Sequence, residues 1–204
     1  MAATKTKQPW TLQRVLPWLL IVGGIIGALC AAILTADKVT LIQHPNTHLN
    51  CDLNPIVACG SVIVTPQASA FGFMNTFIGM IGFGGVALVG GSLLAGGVFK
   101  RWYWRCFQAG VLFGVGFVTW LQFETIYRIH ALCPYCMVVW SVMIPIFIYT
   151  TVYNLRQGNL PTPVRLKRLV GFVDKHHLDV LIGWYLIIFL AILTHFWYYW
   201  KTVI

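Results

Sequence analysis

Leu132-Cys133-Pro134-Tyr135-Cys136-Met137-Val138-Val139-Trp140 opens a run, 131–155, that no charged residue interrupts. A helix needs about 20 apolar residues to cross the hydrocarbon of a bilayer, and this run supplies them. Its reading decides the fold class, because it sets a Cys-x-x-Cys pair at the edge of a membrane span. Pro134 fits the first helical position, where its missing N–H would be unpaired in any case. Cys133 then falls at the N-cap and Cys136 in the first turn, deeper toward lipid. The unpaired N–H groups and the dipole of a helix start favour a thiolate, so such a pair can cycle between dithiol and disulfide. The bland alternative is a structural bridge, which rarely uses this spacing.

Working outward, four more stretches lack charge: 16–36, 71–99, 106–123 and 180–200. The third is the shortest and can extend through Glu124 to Tyr127. Hydrophobic residues make up 58% of the 204-residue chain and charged residues 9%, too few to solvate a soluble globule. These stretches predict an all-α membrane protein with five spanning helices.

The basic residues orient it. Lys5, Lys7 and Arg14 precede the first span, and Lys100, Arg101 and Arg105 sit between the second and third. Arg156, Arg165, Lys167, Arg168 and Lys175 lie between the fourth and fifth, leaving Lys38, Arg128 and Lys201 opposite. The positive-inside rule puts the rich side in the cytoplasm. The net charge of +9 therefore reads as topology and contact with anionic headgroups, not as a nucleic-acid site. The expected organisation is a cytoplasmic tail (1–15), a four-helix unit (16–155) with an exoplasmic loop (37–70), a cytoplasmic linker (156–179) and a fifth span (180–204). The first span reads as a retained signal anchor, because its apolar run exceeds a signal-peptide core and Leu29-Cys30 is a poor cleavage context.

That topology puts Cys51 and Cys59, in the first loop, on the same face as Cys133 and Cys136, where disulfides persist. Eight positions apart, Cys51 and Cys59 can bend to within the ~7 Å Cα separation that a disulfide allows. Alone they could be a structural bridge. With the second pair they form a relay by thiol–disulfide exchange, in which the loop pair oxidises a soluble dithiol and the helical pair reoxidises the loop pair. The position of Cys136 at the bilayer edge suggests an isoprenoid quinone as final acceptor. Cys30 and Cys106 read as small hydrophobes. Glycines at 79, 82, 84, 85, 90, 91, 96, 97, 110, 114 and 116 read as surfaces for close helix approach. Pro145 predicts a kink below Cys136, and Trp197, Tyr198, Tyr199 and Trp200 an interfacial aromatic belt. The linker, with Pro161 and Pro163, shows no site; His176 and His177 read as surface residues. Glu124, Arg128 and His130 read as an interfacial charge cluster.

A family resemblance rests on these residues. Cys51-Asp52-Leu53-Asn54-Pro55-Ile56-Val57-Ala58-Cys59 is followed by Ser61-Val62, Phe71-Gly72, Asn75-Thr76-Phe77-Ile78-Gly79 and Leu132-Cys133-Pro134-Tyr135-Cys136. In that order, over about 16–155, the chain resembles the vitamin K epoxide reductase family in its bacterial, stand-alone form. The disulfide-bond protein B family does similar chemistry with its Cys-x-x-Cys in the first external loop, the reverse order.

The resemblance implies a four-helix bundle around a quinone pocket, covered by the first loop, in a bacterial inner membrane. It implies that Cys136 is the quinone-proximal thiolate, forming the charge-transfer or adduct species. Cys133 exchanges with Cys59, and Cys51 faces a secreted or periplasmic thioredoxin-fold partner of the disulfide-bond protein A type. Asn75 matches the family's asparagine that hydrogen-bonds a quinone oxygen; packing between glycine-rich helices is its bland reading. Thr65 falls where the family has a serine near the pocket. Trp140 stands where vertebrate members have a tyrosine, which leaves vitamin K epoxide turnover and inhibitor response open. The acceptor is a menaquinone or vitamin K type quinone, or ubiquinone, with no metal. The fifth span resembles that of bacterial members leading into a thioredoxin-like domain; here the chain stops at Ile204, so a separate partner is expected. The other readings are a four-cysteine metal-binding membrane protein, which the Cys51/Cys59 spacing disfavours, and a non-catalytic scaffold with two bridges.

Overall fold

The computed structural model describes residues 10–54, 56–160, 171–172 and 175–203. Lys5 and Lys7, and Pro161, Pro163, Arg165, Lys167 and Arg168, lie outside the described residues. Helix α1 (Trp10–Gln43) is followed by a short α2 (Cys59–Ile63) and a 3-10 turn (Pro66–Ser69). Then come α3 (Asn75–Leu94), α4 (Arg101–Glu124), α5 (Pro134–Arg156), α6 (His177–His195) and a short α7 (Trp197–Val203). Five of these are long and apolar enough to cross a membrane, as the charge-free stretches predict. In lipid a helix satisfies its own backbone, which is why uncharged runs of this length take that form. No strand forms among the described residues, and the protein is an all-α membrane protein.

The element ends differ from the sequence reading in instructive ways. Helix α1 continues past Ala36 to Gln43, so Asp37 and Lys38 ride on its last turns instead of opening a loop. Loss of apolar character marks where a helix leaves hydrocarbon, not where it stops. Helix α3 starts at Asn75, four residues after the apolar run begins, because the chain turns at Gly72 with φ +82°. Helix α4 runs on into a π turn (Thr125–Ile129), beyond Tyr127, and ends at His130 in the left-handed region with φ 57°. Ala131 and Leu132 are not helical. The fifth span ends at His195, and Trp197, Tyr198 and Tyr199 belong to α7.

Helix α1 is the spine, packed against both α3 and α5, while α4 packs against α5. Leu16, Leu20, Phe83, Val111, Met143 and Ile146 meet in the apolar core between them. Helix α6 buries none of its own residues and lies against the outside of α5, where Tyr185 Oη donates to Ser141 O at 2.6 Å. At the end of the bundle that carries Arg105 and Arg156, α4 and α5 are tied by polar side chains. Gln108 Nε2 donates to Thr151 Oγ1 and Asn154 Nδ2 to Gln108 Oε1, both at 2.9 Å. Asn154 is fully buried, and pairing removes most of the penalty of an amide inside a span.

The glycines divide into two groups. A Cβ on Gly24 would lie 2.6 Å from Ala87 N, and one on Gly90 2.7 Å from Pro17 O, so α1 and α3 touch backbone to backbone. A Cβ on Gly82, Gly84, Gly85, Gly91, Gly96, Gly110 or Gly116 would meet nothing within 4 Å. The expectation that these glycines serve close packing is therefore corrected: they face open space, and Gly82, Gly85 and Gly110 border a cavity between α1, α3, α4 and α5.

Candidate active site

The first loop is folded by its own acidic and amide side chains. Asn54 Oδ1 accepts from the N–H groups of Ile56 at 3.0 Å and Val57 at 2.7 Å, the Asx geometry that turns a chain without help from a strand. Asp52 Oδ1 accepts from Gly60 N at 2.9 Å and so holds the start of α2. These turns bring Cys51 and Cys59 together with Cα atoms 5.6 Å apart, and a disulfide joins them.

A single parallel bridge then docks this loop on the segment before α5. Leu132 N donates to Ile56 O at 2.6 Å and Ala58 N donates to Leu132 O at 2.9 Å. The bridge pairs Val57, two residues before Cys59, with Leu132, one residue before Cys133. Its register sets the two cysteines side by side, with Cys133 Sγ 3.4 Å from Cys59 Sγ. Both sulfurs belong to fully buried residues, and Cys51 is 6% exposed. A third thiol can therefore reach the loop disulfide only if the loop shifts.

Cys133 has the extended backbone of an N-cap, with φ −102° and ψ 119°, and Pro134 opens the helix. Cys136 N donates to Cys133 Sγ at 3.4 Å. The helix start thus spends its free N–H on the sulfur nearest the loop disulfide. Thiolate character at Cys133 favours exchange with that disulfide.

Cys136, one turn deeper, borders a cavity of about 540 Å³ between α1, α3, α4 and α5. Thr65, Asn75 and Trp140 border the same cavity, so all three pocket candidates meet there with Cys136. Asn75 is buried and uses its amide locally: Nδ2 donates to Gln67 O at 2.6 Å, and Oδ1 accepts from Ala70 N at 3.1 Å. It thereby pins the 3-10 turn over the cavity, which leaves one amide N–H for another acceptor. Thr65 Oγ1 donates to Val62 O at 2.8 Å. Trp140 is buried against Phe196, Ile126, Leu132 and Ile56. An apolar chamber with a few polar groups at the cysteine end suits an isoprenoid quinone, whose head needs hydrogen bonds and whose tail does not.

Several contributors escaped the sequence reading. Lys38 borders the cavity and donates to Ser69 Oγ at 2.6 Å. Asp37 Oδ2 lies 3.9 Å from Cys51 Sγ. Phe196, fully buried, docks the end of the fifth span behind Trp140. His195 Nε2 lies 2.8 Å from His130 Nδ1, with the two rings stacked. The charge cluster resolves into an Arg128–Glu124 ion pair at 3.2 Å, with Glu124 also accepting from Gln67 Nε2. Cys30 is buried as a small hydrophobe should be, whereas Cys106 is exposed and borders the cavity.

The vitamin K epoxide reductase family model matches residues 18–151, which takes in both cysteine pairs and most of the four-helix bundle. The chain belongs to the vitamin K epoxide reductase family. A comparison with curated proteins finds no match. Vitamin K epoxide reductase family membership brings membrane thiol oxidoreductase chemistry, linked in general to quinones and to thioredoxin-like partners. Helix α6 and Phe196 lie beyond the matched residues.

Proposed function

We propose that this protein oxidises a secreted thioredoxin-fold partner and reduces a membrane quinone, supporting disulfide bond formation in a bacterial inner membrane. The observation that carries the reading is the 3.4 Å approach of Cys133 Sγ to Cys59 Sγ, with Cys136 bordering the apolar cavity behind it. The charge asymmetry supports a cytoplasmic N-terminus, which makes the cysteine end of the bundle exoplasmic. The domain plan follows: bundle 16–155, exoplasmic loop, cytoplasmic linker 156–179, and a fifth span.

In the proposed cycle the partner's thiolate attacks Cys51, and Cys59 leaves as a thiolate. Cys59 attacks Cys133 of an oxidised Cys133–Cys136 pair and releases Cys136 beside the cavity. The partner's second thiol frees Cys51, which attacks Cys59, restores the loop disulfide and releases Cys133. The partner loses two electrons, and Cys133 and Cys136 now hold them as a dithiol. A quinone in the cavity accepts the pair of electrons and two protons. Asn75 orients the quinone head through its remaining amide N–H, Thr65 lines the wall beside it, and Trp140 closes the wall behind it. With Cys51 and Cys59 joined, only two of the four sulfurs are free thiols, which weighs against a four-thiolate metal site.

Membranes supplied with reduced partner should reduce added quinone, and Cys136→Ser should bring the rate to background. Full activity in Cys136→Ser would overturn the mechanism. Supplied with oxidised partner, whose disulfide the freed Cys51 thiol can attack, Cys59→Ala should accumulate a mixed disulfide between Cys51 and the partner, which mass spectrometry of the trapped adduct would identify.

A further inference from the structure

Among the described residues, Lys38 is the one charged side chain bordering the cavity. A lysine near the end of a spanning helix ordinarily extends its ammonium outward to the headgroups. Lys38 does otherwise. It is half-buried, and its Nζ donates to Ser69 Oγ at 2.6 Å, at the end of the 3-10 turn that Asn75 pins over the cavity. Its immediate neighbour Asp37 points to the other chemistry, with Oδ2 3.9 Å from Cys51 Sγ. Two adjacent residues on the last turns of α1 thus face the two ends of the thiol relay.

We propose that Lys38 is the proton donor and charge partner of the quinone head. This rests on the quinone reading above and adds a residue to it. Reduction delivers two electrons to the quinone oxygens inside a chamber where no other described lining residue offers a cation. Negative charge developing there is costly in so apolar a site, and an ammonium in reach lowers that cost and can transfer a proton. From the dithiol, Cys133 first sheds its proton to water and becomes a thiolate, which the Cys136 N–H stabilises. The Cys133 thiolate and the Cys136 thiol then give up two electrons and close their disulfide. Lys38 gives one proton and the Cys136 thiol the second, leaving a quinol and a neutral Lys38 amine. The proton that Cys133 shed returns to the amine through water at the cavity mouth.

The test uses the full-length protein in nanodiscs, with menadione as a neutral probe and 2-hydroxy-1,4-naphthoquinone as an anionic one. Lys38→Met should weaken binding of the anion at least about tenfold and change menadione affinity less than about twofold. Lys38→Met should also slow menadione reduction by at least about tenfold, with dithiothreitol reducing the loop pair as fast as in the wild type. Lys38→Arg keeps the cation and should restore anion binding. Ser69→Ala removes the hydrogen bond but not the charge, and should leave anion binding within about twofold. If Lys38→Met bound both probes like the wild type, or if Ser69→Ala matched it, the proposal would be overturned while the quinone reading stood. A wild-type protein that neither binds nor reduces menadione would remove both.

Discussion

The two faces of α3 use glycine for opposite ends. On the face toward α1, Gly90 lets α3 lie against the backbone of Pro17 and Ile21, and Gly24 returns the contact from α1. On the face toward the cavity, Gly82 and Gly85 touch nothing, and Gly110 of α4 is equally bare. In the first case a missing side chain brings two helices together. In the second it leaves room in the deeper part of the chamber. In lipid both are reasonable uses, because association there depends on fitted surfaces and not on expelling water.

The comparison breaks most visibly at Gly24. Gly24→Ala would put a methyl against Ala87 N, Ala87 Cα and Phe83 O at 2.6–2.9 Å. Backbone cannot swing aside as a side chain can, so α1 and α3 must separate, at a cost of about 1–3 kcal/mol or more. Thermal unfolding in detergent should show a clear loss of stability, together with loss of quinone reduction. Gly85→Leu sharpens the contrast from the other side. The helix should assemble as before, but the new side chain occupies part of the chamber. Quinone KM should rise about tenfold, the scale on which a pocket senses added methylenes. Thiol exchange between Cys59 and Cys133, which the bridge between Val57 and Leu132 positions, should be unchanged. The smallest effect is expected for Gly82→Ala, where a methyl enters open space. Stability should move by no more than about 0.5 kcal/mol, and a large loss there would show that α3 packs more closely than described.

The fold was legible because its determinants are local. An uncharged run of about 20 residues announces a span by itself, and Cys133-Pro134 announces a helix start through the chemistry of two residues. The gathering of Thr65, Asn75, Trp140 and Cys136 at one cavity matches the motif positions. What escaped depends on where distant pieces meet. Nothing in Ile56-Val57-Ala58 signals that it will pair with Leu132, since a single bridge leaves no alternating pattern to read. Phe196 looks like one more interfacial aromatic until the helix breaks at its position and turns it inward. Lys38 looks like a stray cation on the poorer side until the extension of α1 carries it over the cavity. The glycines fail for the same reason: spacing shows that a face is small, and only the neighbouring helix decides whether it is filled.

The 3.4 Å contact between Cys59 and Cys133 also sets a timetable for biosynthesis. The two residues are 74 positions apart, so at roughly 5–20 residues per second Cys59 leaves the ribosome about 4–15 s before Cys133. During that interval the loop pair can be oxidised by its surroundings while the thiol that will service it has yet to be made. Phe196 is translated later still, and its docking behind Trp140 closes the packing around the Cys-x-x-Cys turn. The nascent chain thus acquires its loop pair first, the thiol that will lie against it second and the Phe196 that packs behind Trp140 last.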